Sequence, residues 1–232
     1  MKNLCVIPAR GGSKRIPRKN VKPFMGKPII AYSIEAALQS GLFEEVMVST
    51  DDEEIAKIAK KYGAKVPFMR SEETSNDFAG TDDVLLEVLE QYQQRGQEFD
   101  NLCCLYSTAP FVSSRRLVEA YNELNSQFDY VFTCVAYSYP IQRSLHIVDG
   151  KIGMLYPEYA EARTQDLETI YHDAGQFYFA RVSSYLKEKT LWGKNTKGLI
   201  LSELEVQDLD TLTDWSLAEM KYKLLNDVNS SK

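Results

Sequence analysis

The chain of 232 residues, 44% hydrophobic and 26% charged with net charge −6, has the length of one large domain and an ordinary soluble composition. The acidic balance argues against a nucleic-acid binder, a class whose domains are usually basic, and no apolar run approaches a membrane span. Cys5, Cys103, Cys104 and Cys134 sit in apolar, strand-like runs without CxxC spacing, which argues against metal or redox roles. Reduced, buried thiols and the lack of a signal-peptide pattern lead us to expect a cytoplasmic protein.

The first predicted element is a strand, Leu4 to Ile7. It runs into Pro8-Ala9-Arg10-Gly11-Gly12-Ser13-Lys14-Arg15-Ile16-Pro17-Arg18-Lys19-Asn20, and six cations fall between positions 10 and 22: Arg10, Lys14, Arg15, Arg18, Lys19 and Lys22. Gly11 and Gly12 allow positive φ and close backbone approach, and their N–H groups could form a nest for phosphate oxygens. A strand, a glycine turn and clustered cations suit a triphosphate. The pattern is neither a P-loop, because Gly26-Lys27 is followed by Pro28, nor a dinucleotide fingerprint, which needs three spaced glycines opening a helix.

Pro28 is a good first helical residue for a helix over Ile29–Gln39, stopped by Gly41. A strand follows at Val46–Ser49, a helix at Asp52–Tyr62, a strand at Lys65–Met69 and a polar loop from Arg70 to Gly80. Thr81 is placed as the N-cap of a helix carrying Val84, Leu85, Val88 and Leu89. Leu102–Tyr106 reads as a strand buried on both faces, Ser113 or Ser114 as the next N-cap, and Tyr130–Val135 as another strand. Asp149-Gly150 between Leu145–Val148 and Lys151–Leu155 signals a β-hairpin, an arm or lid within about 138–170. Strands at Phe177–Ala180 and Leu199–Leu201 and a helix over Leu212–Leu225 complete the chain, with Asn226–Lys232 expected to fray. Alternating strands and helices predict an α/β, Rossmann-like, doubly wound and mostly parallel sheet over residues 1–232.

Three later segments could carry chemistry. In extended backbone Asp208 and Asp210 point to one side, so they can face one cation, and beside a triphosphate loop Mg²⁺ is the natural choice. Taken alone, the pair could equally be the acidic start of the last helix. Leu105 to Phe111 offers small hydroxyls, Thr108 among them, at a strand's carboxyl end. Tyr171 to Phe179 sets polar groups and aromatics around Gly175, a mixture suited to an acylated sugar. A lone His172 is more often structural than catalytic.

The motif Ile7 to Arg15 with Lys19-Asn20 resembles the signature of the nonulosonate cytidylyltransferases, which include the enzymes that make CMP-activated sialic acids, and later motifs follow in order along almost the whole chain. The resemblance implies CTP and a nonulosonic acid as partners, Mg²⁺ as cofactor, transfer of CMP with release of pyrophosphate, and a homodimer. It implies that Arg10, Gly11, Gly12, Ser13, Arg15 and Lys19 hold phosphates, and that Asn20, Arg70, Asp77 and Thr81 serve ribose and base. Asp208 and Asp210, with Asp214 beyond, resemble the magnesium carboxylates; Arg10, Lys19, Asp208 and Asp210 are the expected catalytic set. Arg163 is expected at the sugar carboxylate, and Tyr106, Thr108, Gln176 and Tyr178 at the acylamino groups. Tyr106 and Asp173–Tyr178 depart from the sialate pattern and most resemble the branch acting on pseudaminic acid, with legionaminate, N-acetylneuraminate or 3-deoxy-manno-octulosonate as alternatives. A non-catalytic phosphate or nucleic-acid binder is the remote one.

Overall fold

Strand β1 (Asn3–Pro8) sends Cys5 and Ile7 into one apolar layer and Leu4 and Val6 into another, all fully buried, as a central parallel strand requires. The computed structural model, which describes residues 1–124 and 127–230, builds a sheet of six strands around it. In chain order the elements are a two-strand ribbon β2 (Pro23–Phe24) and β3 (Lys27–Pro28), α1 (Ile29–Ser40), β4 (Glu45–Ser49), α2 (Glu53–Lys61), α3 (Glu72–Ser75) and α4 (Thr81–Gln94). Then come β5 (Asn101–Leu105), α5 (Ser114–Glu123), β6 (Tyr130–Ala136), the hairpin β7 (Leu145–Val148) and β8 (Lys151–Met154), β9 (Tyr171–Arg181), α6 (Val182–Glu188), β10 (Thr196–Leu201) and α7 (Leu212–Ser230).

The sheet order is β10-β6-β9-β5-β1-β4. All neighbours are parallel except β9, which runs antiparallel between β5 and β6. Ile30 and Ile34 of α1, Ile55 of α2 and Leu117 of α5 pack on one face; Leu85, Val88 and Tyr92 of α4 and Tyr185 of α6 pack on the other. This is the expected Rossmann-like α/β architecture. A third cluster joins the ribbon to α7 through Phe24, Tyr32, Leu209 and Trp215.

Several local expectations need correction. Pro28 belongs to the ribbon and precedes the helix, with ψ 136°. Gly80, not Thr81, is the N-cap of α4, and Asp83 accepts its N–H at 2.8 Å. Lys65–Met69 is not a strand; only Lys65 bridges to Met47, because the chain then leaves the sheet edge. The 70–80 loop contains α3, and α7 continues through Asn226 to Ser230; residues 231 and 232 lie outside the described residues. Ser113 is the α5 cap, accepting the Arg116 N–H. The 149–150 hairpin turn is present, with φ of 49° and 76° at its two residues.

The β4–α2 junction does most to fix the loop after β1. Asp52 caps α2 by accepting the N–H groups of Glu54 and Ile55, both at 3.0 Å, and receives both guanidinium arms of Arg18 at 2.6 and 3.0 Å. Replacing Asp52 by alanine should lower the melting temperature at pH 7 by about 2–4 °C for the lost cap of about 1 kcal/mol. The bond from Arg18 holds the Asp52 carboxyl at about 2, below its ordinary 3.8, so its stabilisation is complete above the ordinary value and is lost as pH falls through the lower one. Melting followed by circular dichroism from pH 7 to 2 should therefore show the gap between wild type and Asp52→Ala closing at the acid end.

Candidate active site

β1, β4 and β5 are parallel, so their carboxyl ends reach the same sheet edge, and the loops leaving them enclose a cleft of 510 Å³. The six cations divide there. Arg10, Lys14, Arg15 and Lys19 line the cleft. Arg18 turns away to Asp52 and Glu54, and the Lys22 ammonium lies 5.3 Å from the Trp215 ring centre.

The glycines act differently from the expected nest. Neither Gly11 nor Gly12 has positive φ; the left-handed residue of this loop is Arg18, at φ 56° and ψ 30°. The Gly11 N–H donates to Asp51 Oδ1 at 2.8 Å, and a Cβ at Gly11 would stand 2.8 Å from Asp52 Oδ2. Gly11 is needed so that the loop can approach the α2 terminus, and neither glycine lines the cleft.

Carboxylates face the cleft cations. Asp77 accepts from Arg10 at 3.0 Å and Lys14 at 2.5 Å, so its carboxylate is engaged by two of the cleft cations. Asp210 pairs with Arg15 at 2.5 Å and stands 4.0 Å from Lys19, whose ammonium also donates to the Leu209 carbonyl at 2.7 Å. Burial pulls the Lys19 pKa below its ordinary range, with Asp210 and then Asp208 opposing that pull. Buried Arg70 holds the Ser49 hydroxyl and carbonyl at 3.0 and 2.6 Å, and burial lowers its pKa too. Asn20 spends its side chain within the protein, donating to the Arg10 carbonyl and accepting from Ser107, both at 2.8 Å, and so ties the basic loop to the loop after β5. Ser13 and Thr81 are also in the wall, the Thr81 hydroxyl 3.2 Å from that of Tyr106.

A second cavity of 350 Å³ shares Tyr106 and Thr108 with the cleft. Its far wall is a bulge: Tyr178 of β9 pairs with Phe132 and Asp173 with Cys134, so residues 174–177 of β9 face only Thr133 of β6. Gly175, at φ 62°, permits that excursion. Gln176 and Tyr178 are in this wall; the Tyr178 hydroxyl donates to Asp173, and the Gln176 amide to the Glu205 carbonyl. His172 lines the cavity with Nδ1 2.9 Å from the Asp173 carbonyl. Arg163 is not brought here. It stands exposed beyond the hairpin, paired with Asp166 at 2.7 Å.

Asp208 lines the second cavity, while Asp210 holds cations that line the first. The pair therefore stands where the two cavities meet. Two hard oxygen ligands at the edge of a phosphate-sized cleft fit Mg²⁺, which completes its shell with water and phosphate oxygens; no cluster of three metal-ligating side chains exists among the described residues. Asp214, in the first turn of α7, accepts the Thr211 N–H at 2.7 Å. The sequence reading passed over Arg116 and Glu205, which brace this segment; Ser202-x-x-Glu205 carries a capping-box signature that could have flagged the turn.

Comparison with known proteins agrees with this geometry. A family model described as cytidylyltransferase matches residues 4–192. A pseudaminic acid cytidylyltransferase of Campylobacter jejuni is 44% identical over 97% of both chains, and a CMP-N,N'-diacetyllegionaminic acid synthase of Legionella pneumophila is 36% identical over 97% of both. Among solved structures, a CMP:2-keto-3-deoxy-manno-octonic acid synthetase complexed with CTP superposes with TM-score 0.69 at 21% identity, covering 98% of this chain and 100% of its own. The chain belongs to the cytidylyltransferase family.

Proposed function

We propose that this protein transfers CMP from CTP to the anomeric hydroxyl of pseudaminic acid in a Mg²⁺-dependent reaction that releases pyrophosphate. The observation that carries the reading is the junction: a cation-lined cleft and a mixed polar and aromatic cavity meet at Tyr106 and Thr108, with Asp208 and Asp210 at the seam. The choice of sugar follows the Campylobacter jejuni relative.

In this reading Arg10, Ser13, Arg15 and Lys19 hold the triphosphate, while Arg70 and Thr81 bound the nucleoside end of the cleft. The anomeric oxygen attacks the α-phosphorus. A new P–O bond forms as the bond to the bridging oxygen of pyrophosphate breaks, and Asp208, facing the sugar cavity, takes the hydroxyl proton. Asp208 and Asp210 would hold Mg²⁺, which when bound supplies charge neutralisation at the α-phosphate. The protein's share in this reading is positioning and charge stabilisation, the cleft cations meeting the charge that builds on the leaving group. Tyr106, Gln176 and Tyr178 border the acylated end of the sugar. The reading includes a homodimer, supported by the hairpin, where Leu145, Ile147, Val148 and Ile152 are 58–71% exposed. Among the described residues no helix is long and apolar enough to cross a membrane.

Turnover of CTP with pseudaminic, legionaminic and N-acetylneuraminic acids in parallel should favour pseudaminate over N-acetylneuraminate by about tenfold or more in kcat/KM. Equal or better use of N-acetylneuraminate would sink the substrate assignment. Asp210→Ala should cut metal-dependent pyrophosphate release by about 10²–10³; undiminished release removes Asp210 from the metal site. Because the Asp77 carboxylate competes with phosphates for Arg10 and Lys14, Asp77→Asn should tighten CTP binding about two- to fivefold at low salt, the gap narrowing as salt rises. Calorimetric titration checks this, and weaker binding by the variant would make Asp77 a nucleotide ligand.

A further inference from the structure

The segment between β10 and α7 carries Asp208 and Asp210 yet pairs with no strand. A 3-10 turn at Glu203–Glu205 opens it, and its bracing centres on Glu205. The Glu205 carboxylate accepts from Arg116 Nε and Nη2, each at 2.8 Å, and from the Ser202 N–H and hydroxyl at 3.1 and 2.8 Å. Arg116 and Glu205 are only 19% and 14% exposed at their side chains. The Glu205 carbonyl accepts the Gln176 amide from the bulge of β9, and Lys221 of α7 donates to the carbonyls of Glu203 at 3.1 Å and Val206 at 2.8 Å. One turn is thus tied to α5, β9 and α7, three residues before Asp208.

Arg116 and Glu205 line neither cavity. A two-armed guanidinium–carboxylate pair fixes orientation as well as distance. A largely buried ion pair is weak evidence for stability, whereas fixing a geometry is a known use of one. Any rotation at Glu205 moves the wall of the sugar cavity through its carbonyl and the aspartate segment through its backbone. We propose that Arg116 and Glu205 are positioning residues that align the Asp208–Asp210 pair with the sugar cavity. This rests on the reading that those aspartates hold a divalent cation.

The test compares wild type with Arg116→Met and Glu205→Gln, using Mn²⁺ with CTP followed by electron paramagnetic resonance, CTP binding in EDTA by calorimetry, and the KM for the sugar acid that wild type prefers. Each variant should weaken Mn²⁺ binding about tenfold, as losses of groups that orient metal ligands do. Each should raise the sugar-acid KM while leaving metal-free CTP binding within about twofold, because the basic loop is untouched. The double variant should be no worse than either single one. Val88→Ala, which opens a cavity across the sheet, is the control for general destabilisation and should lower the melting temperature without moving Mn²⁺ affinity. Unchanged Mn²⁺ affinity and KM in Arg116→Met would overturn the proposal, as would an equal Mn²⁺ loss in Val88→Ala. If wild type shows no Mn²⁺ site that Asp210→Ala removes, the metal reading falls, and the pair is then judged on the sugar-acid KM alone, where no change overturns it.

Discussion

Six like charges within thirteen residues repel one another, and the rest of the molecule is arranged around holding that loop in one shape. Three separate parts of the chain supply the countercharge. The β4–α2 junction gives Asp51 to the Gly11 N–H and Asp52 to Arg18; the 70–80 loop gives Asp77 to Arg10 and Lys14; the segment before α7 gives Asp210 to Arg15 and Lys19. Lys22 rests on an aromatic ring instead. The acidic balance of the whole chain is therefore compatible with a strongly cationic cleft. The pairings differ in kind: Arg18–Asp52 is tied into a helix cap, while Asp77 and Asp210 hold groups that face the cleft and can exchange partners.

The parallel strands were legible because a strand buried on both faces is written as an unbroken apolar run, and Leu4–Ile7 and Leu102–Leu105 are such runs. The direction of β9 was not, since periodicity is the same read forwards or backwards. Lys65–Met69 has strand composition but reaches the sheet at one residue only. In the site, the cluster of six cations was legible by residue type; Arg10, Lys14, Arg15 and Lys19 of that cluster line the cleft, which Tyr106 and Thr108 join to the second cavity. The glycines misled, because Gly-Gly beside arginines suggests a phosphate nest, whereas Gly11 answers a steric demand from Asp52, forty-one positions away. Glu205 escaped for the same reason: its partner Arg116 lies on another helix, and no local pattern links them.

The two cavities are built by different means. The cation-lined cleft uses loops at the ends of parallel strands, a location the fold offers to any member of the architecture. The second cavity uses the bulge in β9, a local irregularity that can change without disturbing the pairing of Phe177–Arg181 with β5. That separation agrees with a group of relatives whose names differ in the acid: a pseudaminic acid cytidylyltransferase, a CMP-N,N'-diacetyllegionaminic acid synthase and an N-acylneuraminate cytidylyltransferase.

The position of β9 also governs how the chain assembles during synthesis. In the order β10-β6-β9-β5-β1-β4, strand β6 has neighbours only in β9 and β10, both made after it. The β4-β1-β5 half can pair as soon as it leaves the ribosome, but Tyr130–Ala136 must wait for a strand that begins at Tyr171. During that interval an apolar strand has two open edges, the condition under which nascent chains associate wrongly. The sheet is thus completed late, with β9 as the central piece that joins its two parts.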